Sequence, residues 1–152
     1  MVALKNIIVI FLNIIAILLM LAGCSKDNNL PFTTIGKGFN LSGVDREKEK
    51  KIISQQEEWD DFFMNWPRWE IDQFNEIVID YDKYQIIAVI DETRPDTGWS
   101  INITQMTEHS DKIILTVQVK KSDGRAFFLE IQPYHIVKIP KTTKSIEFKL
   151  IY

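Results

Sequence analysis

Cys24 carries the most distinctive chemistry in this chain and is its only cysteine. It closes the tetrapeptide Leu21-Ala22-Gly23-Cys24, behind an apolar run over residues 7–21 that follows Lys5. A positive start, an apolar middle and small residues before a cleavage point form an export signal. A cysteine directly after that point makes the tetrapeptide a bacterial lipobox. Its thiol is alkylated with diacylglycerol, and the chain is cut between Gly23 and Cys24. The apolar run falls short of the roughly 20 residues that span a bilayer, and Asn13 interrupts it. The expectation is a signal peptide over residues 1–23 and a mature protein that starts at lipidated Cys24. One acyl chain anchors only marginally, whereas two or three hold a protein at a membrane. With its thiol consumed, Cys24 offers no disulfide, metal thiolate or nucleophile.

The other chemistry-bearing residues are acids and two histidines. Asp60-Asp61, Asp91-Glu92 and Asp80 with Asp82 are the acidic pairs. Glycoside hydrolysis needs two carboxyl groups facing each other across a bond. Neighbours on a helix or strand point in different directions, so these read as surface acids and turn formers. His109 sits in a Glu-His-Ser-Asp turn, and His135 follows Pro133-Tyr134 at a strand entry. A serine triad needs three groups meeting in space. No Gly-x-Ser-x-Gly or His-Glu-x-x-His motif occurs, and two isolated histidines are weak metal ligands. Asn102-Ile103-Thr104 matches a glycosylation acceptor only formally. The expectation is no catalytic constellation, no metal and no cofactor beyond the acyl lipid on Cys24.

The most distinctive loop holds Arg94, Pro95, Asp96, Thr97, Gly98 and Trp99. Pro95 fixes φ, and Asp96 and Gly98 are turn formers. Arginine and tryptophan are favoured interface residues, so this loop is a candidate partner-binding site. The competing reading folds Trp99 back over the core. Tyr134 and His135 form a second candidate patch.

These residues need a frame. Residues 24–38 are polar, with Pro31 and two glycines; their apolar content is too thin to offset ordering entropy, so they read as a lipidated flexible tether. Residues 39–152 suit one modest domain. Ser54-Gln55-Gln56-Glu57 fits a capping box, with Ser54 as N-cap and Glu57 reaching back. Trp59, Phe62, Phe63 and Trp66 follow on one helical face, until Pro67 stops the helix. Residues 86–90 form a continuous β-branched run, the mark of a strand covered on both faces. Residues 100–105 and 112–120 alternate, the second with Ile113, Leu115, Val117 and Val119 inward. Ser122-Asp123-Gly124-Arg125 is a hairpin turn, after which Phe127, Leu129 and Ile131 continue the inward set. Residues 39–44, 50–53, 136–139 and 146–151 complete the strands. The sum is an α+β domain: a mostly antiparallel sheet with one packed amphipathic helix.

Three of these stretches together resemble a known family. Ile79-Asp80-Tyr81-Asp82-Lys83-Tyr84 with the run 86–90, then Arg94-Pro95-Asp96-Thr97-Gly98-Trp99-Ser100-Ile101, is similar to the C-terminal domain of PrcB-type protease-complex subunits. The family pattern there is a strand-opening D-F-x-x-Y, a buried strand and a P-T-G-G-Y loop. Gln132-Pro133-Tyr134-His135-Ile136-Val137-Lys138-Ile139-Pro140 resembles its P-Y-x-I-V-x-I-P ending, and Glu57 with Trp59 its E-x-W helix start. Thr97, Trp99 and Tyr81 depart from the pattern, standing where the family has glycine, tyrosine and phenylalanine. The resemblance implies a non-catalytic accessory module whose partner is an exported protein, with a protease among the partner classes.

Removing the signal peptide takes away Lys5 and no acid, so the formal net charge of −3 becomes one unit more negative. That balance argues against a nucleic-acid partner. Ser25 stands where an inner-membrane retention signal would place aspartate, and Lys26-Asp27 resembles a surface-export signal. The expected address is the envelope of a Gram-negative bacterium, with the outer membrane favoured. A glycan-binding lipoprotein serving nutrient capture is the alternative, motivated by the four tryptophans.

Overall fold

The computed structural model describes residues 28–41 and 47–152. The signal peptide, the lipobox with Cys24, residues 25–27 of the expected tether and residues 42–44 of the first expected strand lie outside the described residues.

The fold has three layers, with the middle sheet at its centre. β4 (Tyr84–Ile90) and β7 (Gln132–Pro140) pair antiparallel there, flanked by β2 (Thr33–Asn40) and β3 (Glu49–Ile53) in the order β2-β7-β4-β3. The residues of β4 alternate between two cores, as a period of two requires. Ile86, Ala88 and Ile90 face the helices, while Ile87 and Val89 face the second sheet. The doubly covered strand expected over residues 86–90 is therefore present. The outer sheet runs β1 (Asn28–Asn29), β5 (Trp99–Glu108), β6 (Lys112–Lys121) and β8 (Ser145–Ile151). Its β6–β8 pair is parallel and every other pair is antiparallel. Ile113, Leu115, Val117 and Val119 of β6 all turn inward, as their alternation predicts.

The helical layer is α1 (Gln56–Phe63) and a single turn, α2 (Arg68–Ile71). Trp59, Phe62, Phe63 and Trp66 pack edge-on against one another and onto Phe74 and Tyr134, with Trp66 and Tyr134 centroids 4.9 Å apart. The α+β class thus holds, with a second helical turn added. α1 ends at Phe63, four residues before the expected stop at Pro67, so Trp66 joins the aromatic cluster from beyond the helix; Pro67 is the extended N-cap of α2. The capping detail differs from expectation. The N-cap is Gln55 with no side-chain cap, and it is Glu58, not Glu57, that reaches back to accept from the Ser54 N–H at 2.7 Å. Starting the helix one residue later moves the reach-back position by one.

Two larger corrections concern the tether and the hairpin. Residues 28–38 belong to the folded body: β1 pairs with β5, and β2 pairs with β7 along its length. Ile35 is buried in the helix-side core. Gly36 is a close-approach glycine, because a Cβ there would sit 2.5 Å from the Phe74 ring. The Asn75 N–H donates to the Ile35 carbonyl at 2.9 Å, fastening this segment down. The expected second hairpin arm is absent as a strand. β6 already has β5 on one side and β8 on the other, so no edge is left for a third partner. Of the supposed inward set only Ile131 is buried; Phe127 and Leu129 are exposed.

Gly36→Ala should lower stability by about 1–3 kcal/mol through overpacking against Phe74, read as a shifted urea midpoint. Phe74→Leu in the same chain should recover part of that loss. An unchanged midpoint in the single variant would contradict the close approach.

Candidate functional site

The candidate loop after β4 and the segment between β6 and β7 meet at one end of the sandwich, beyond Ile90, Trp99, Lys121 and Gln132. Asp91 starts the first loop fully buried. Its N–H donates to the Pro133 carbonyl at 2.9 Å, and its carbonyl accepts from Gln132 Nε2 at 3.0 Å. A buried carboxylate needs paired charge. Arg94 supplies it, with Nε 2.8 Å from Asp91 Oδ2, and Lys48 Nζ lies 3.4 Å from Oδ1. The second arm of the Arg94 guanidinium holds Glu92 at 2.8 Å, while its plane lies over the Trp99 ring, 4.2 Å from the centroid. Lys121 Nζ is 5.4 Å from the same ring and 3.1 Å from Asp96 Oδ2. The Gly98 N–H donates to Asp96 Oδ1 at 2.9 Å; that bond, with Lys121, holds the Asp96 carboxyl below the usual carboxylate range.

The Arg94 to Trp99 loop is therefore internally occupied. Its arginine is mostly buried, and its charges and ring are satisfied by one another. What it presents is a second loop laid against it. Arg94 and Ile131 exchange both backbone hydrogen bonds, at 2.7 and 2.9 Å. The Thr97 N–H donates to the Phe127 carbonyl at 3.1 Å, the Thr97 Oγ1 accepts from the Phe127 N–H at 3.0 Å, and the Ser122 N–H donates to the Gly98 carbonyl at 2.8 Å. On this fixed backbone Phe127 is 77% exposed and Phe128 99% exposed, with Leu129 beside them. A cleft of about 430 Å³ near the loop base is lined by Trp99, Gln118, Val119, Lys120, Lys121 and Tyr152.

The sequence reading missed this tip. It placed Phe127 inward and assigned Phe128 nothing. The signal was there: adjacent phenylalanines break the alternation of a half-buried strand, since one of the two must face water.

The second candidate patch, Tyr134 and His135, is not a surface. The two side chains leave β7 on opposite faces, and both are buried. Tyr134 packs among Trp66 and Phe74, and burial with nearby Glu70 pushes its phenol up to about 12. His135 lies between the sheets. Its Nδ1 accepts from the Ile103 N–H of β5 at 2.8 Å, so Nε2 carries the proton and donates to Thr34 Oγ1 of β2 at 3.0 Å. Burial, with Lys37 alongside, lowers its pKa to about 4.

At least one acid of each pair is spent locally. Asp80 holds Lys83 at 2.7 Å, Asp60 accepts from Gln56 at 2.8 Å, and Asp91 and Glu92 share Arg94. Among the described residues no group of three or more His, Cys, Asp or Glu could hold a metal, and no helix is long and apolar enough to cross a membrane. Comparison of the chain with protein-family models, with curated proteins and with solved structures finds no match.

The His135 geometry fixes a pH dependence. Above the ordinary histidine pKa of 6.5, both folded and unfolded chains hold a neutral ring, and its contribution is complete. Between 6.5 and about 4 only the unfolded chain gains a proton, so stability falls as pH falls. The loss should total about 3 kcal/mol, levelling off below the folded pKa. Urea unfolding across that range reads it; His135→Gln should remove the slope, and a flat wild-type profile would refute it.

Arg94→Ala should destabilise by about 3 kcal/mol, because it leaves the buried Asp91 carboxylate with Lys48 alone. The readout is again the unfolding midpoint. A variant as stable as wild type would mean that this pair does not hold the loop.

Proposed function

We propose that this protein is a lipid-anchored, non-catalytic accessory module of the bacterial cell envelope that binds an exported protein. The resemblance to PrcB C-terminal domains puts a protease among the partner classes, and Ser25, standing where an inner-membrane retention signal would place aspartate after Cys24, favours the outer membrane. The observation that carries the reading is the Phe127-Phe128-Leu129 tip. Apolar side chains stand in solvent on a backbone tied down by five hydrogen bonds to residues 94–98. Ordering cost is low when the contact residues are already held in place, and aromatic anchors dominate protein interfaces.

The position of the tip suits that role. Asn28, four residues after Cys24, pairs with Glu108 at one end of β5, and Trp99 stands at the other end. Four residues of extended chain reach about 14 Å, whereas a strand the length of β5 spans about 30 Å. The lipid therefore joins the end remote from the tip. A domain standing on its anchor holds Phe128 away from the anchoring bilayer, toward other envelope proteins. The glycan-binding alternative has less support: Trp59 and Trp66 are buried and Trp99 carries Arg94 over its ring, which leaves Trp69 as the exposed one of the four.

A photo-crosslinking phenylalanine at position 128 of the full chain, expressed in its own cells, should give adducts with one envelope protein, and Phe127→Ser should abolish them. Cys24→Ser should move the protein from membrane to soluble fractions. Absence of any adduct, or an unacylated N-terminus by mass spectrometry, would overturn the proposal.

A further inference from the structure

The two long sides of the sandwich are finished differently. On one side β5 bends over the middle sheet, with its register shift between Ile103 and Gln105. There the Ile103 N–H is taken by His135, and Leu30 and Phe32 pack onto the core between the sheets. On the other side the edge strands are β8 of the outer sheet and β3 of the middle sheet. Lys50 and Ile52 of β3 stand opposite Val89 and Ile87 of β4, so they share the face toward the outer sheet. Yet Ile52 is 39% exposed, whereas Ile87 is fully buried. On β8, Ile146 and Phe148 pack against the same core and remain only partly buried. The two edges come near each other where Lys50 Nζ lies 5.5 Å from the Phe148 ring centroid. The core between the sheets is thus left open along the β3–β8 side.

Two demands coincide there. Among the described residues the outer edge of β8 is seven residues of main chain without a strand partner, bordered by the apolar strip of Ile52, Ile146 and Phe148. A long free edge is a template for another strand, and proteins commonly blunt it with bulges, prolines or inward-pointing charges. β8 has no bulge, proline or inward-pointing charge; it does carry Glu147 and Lys149, but they fall on the face opposite Ile146 and Phe148 and leave the apolar face of the edge open. A lipid surface or a sugar could cover the strip, but neither supplies a ladder of N–H and C=O groups at strand spacing. An extended polypeptide supplies both.

We propose that the β8 edge is a docking strip for an extended segment of the partner protein, added as a fifth strand of the outer sheet. The inserted segment is about seven residues long, matching β8. Its inward side chains are apolar and cover Ile52 and Phe148, and a carboxylate is favoured opposite Lys50. The inference rests on the protein-binding reading for its class of partner, but it uses a different surface from the Phe127–Phe128 tip.

The test pans a displayed library of random 12-residue peptides against the lipidated full chain in detergent. Hydrogen exchange is then measured with each enriched peptide bound. Enriched peptides should alternate apolar and polar residues and slow exchange over residues 145–151. Each should then be made with single N-methyl groups along its backbone. Methylation of every second amide should weaken binding about tenfold, and methylation of the intervening ones should leave it nearly unchanged, since only alternate amides face the edge. Failure to enrich any peptide, equal sensitivity at both parities, or protection confined to residues 122–131 would overturn the strip. The last outcome leaves the tip reading standing. Conversely, β8 protection with no adduct at position 128 would sink only the tip.

Discussion

The rest of the arrangement depends on the buried imidazole of His135, which makes a polar bond between the two sheets. β7 is central to the middle sheet, and β5 lies against β1 and β6 in the outer sheet. Neither backbone ladder connects them. His135 connects them through one ring, taking a hydrogen bond from Ile103 and giving one to Thr34. It can do both only while neutral, because a protonated ring has no acceptor. The apolar contacts around it are non-directional and would tolerate some sliding of sheet on sheet. The hydrogen bond fixes the register of β5 over β7, and Thr34 couples β2 to the same point. Closing the sandwich on this side leaves the opposite side to be finished by whatever lies beside β8.

The sequence showed the elements whose burial is written in their own side chains. β4 has no polar residue between Ile86 and Ile90, and β6 alternates apart from Ile114, an apolar residue at an outward position; each can be read without its neighbours. β2 cannot. Its residues Thr33, Thr34, Gly36, Lys37 and Gly38 have the composition of a linker, and one buried isoleucine is too little to mark a strand. Its place is set by Phe74 and Asn75, far along the chain, which receive Gly36 and the Ile35 carbonyl. The same distance effect hid the fate of residues 126–129. Asp123-Gly124 does mark a turn, but whether a strand follows depends on a free edge of β6, and β8, still further along the chain, occupies it. Tyr134 and His135 read as the entry to a strand over residues 136–139, whereas β7 already begins at Gln132. Their burial was not legible, because both faces of that strand are covered and two polar-tipped side chains had to find partners inside.

At the loop end, the residues whose types drew attention in the sequence are the ones consumed by the fold. Arg94, Asp91, Asp96, Lys121 and Trp99 form a closed set of charge and ring contacts. A buried ion pair contributes little net stability compared with apolar packing, yet breaking it is costly. Its effect here is geometric: it holds residues 91–98 in one shape, and residues 122–131 are laid against that shape. Polar specificity is spent inside the protein, and the outward face of the same construction is hydrocarbon.

That division bears on how the two exposed apolar features differ. The Phe127–Phe128 tip is exposed hydrocarbon with no main-chain demand, so any concave apolar surface would satisfy it. The β8 edge makes a directional demand along a line, so it selects by backbone conformation and tolerates many side chains. One molecule that engaged both would need a folded body to cup the tip and an extended arm to lie along β8. Tyr152, next after β8, lies beside Trp99 in the cleft at the loop end, so the path from tip to edge runs along one face. Each contact can be weak. Two weak contacts joined by a short arm gain effective concentration without any new interaction.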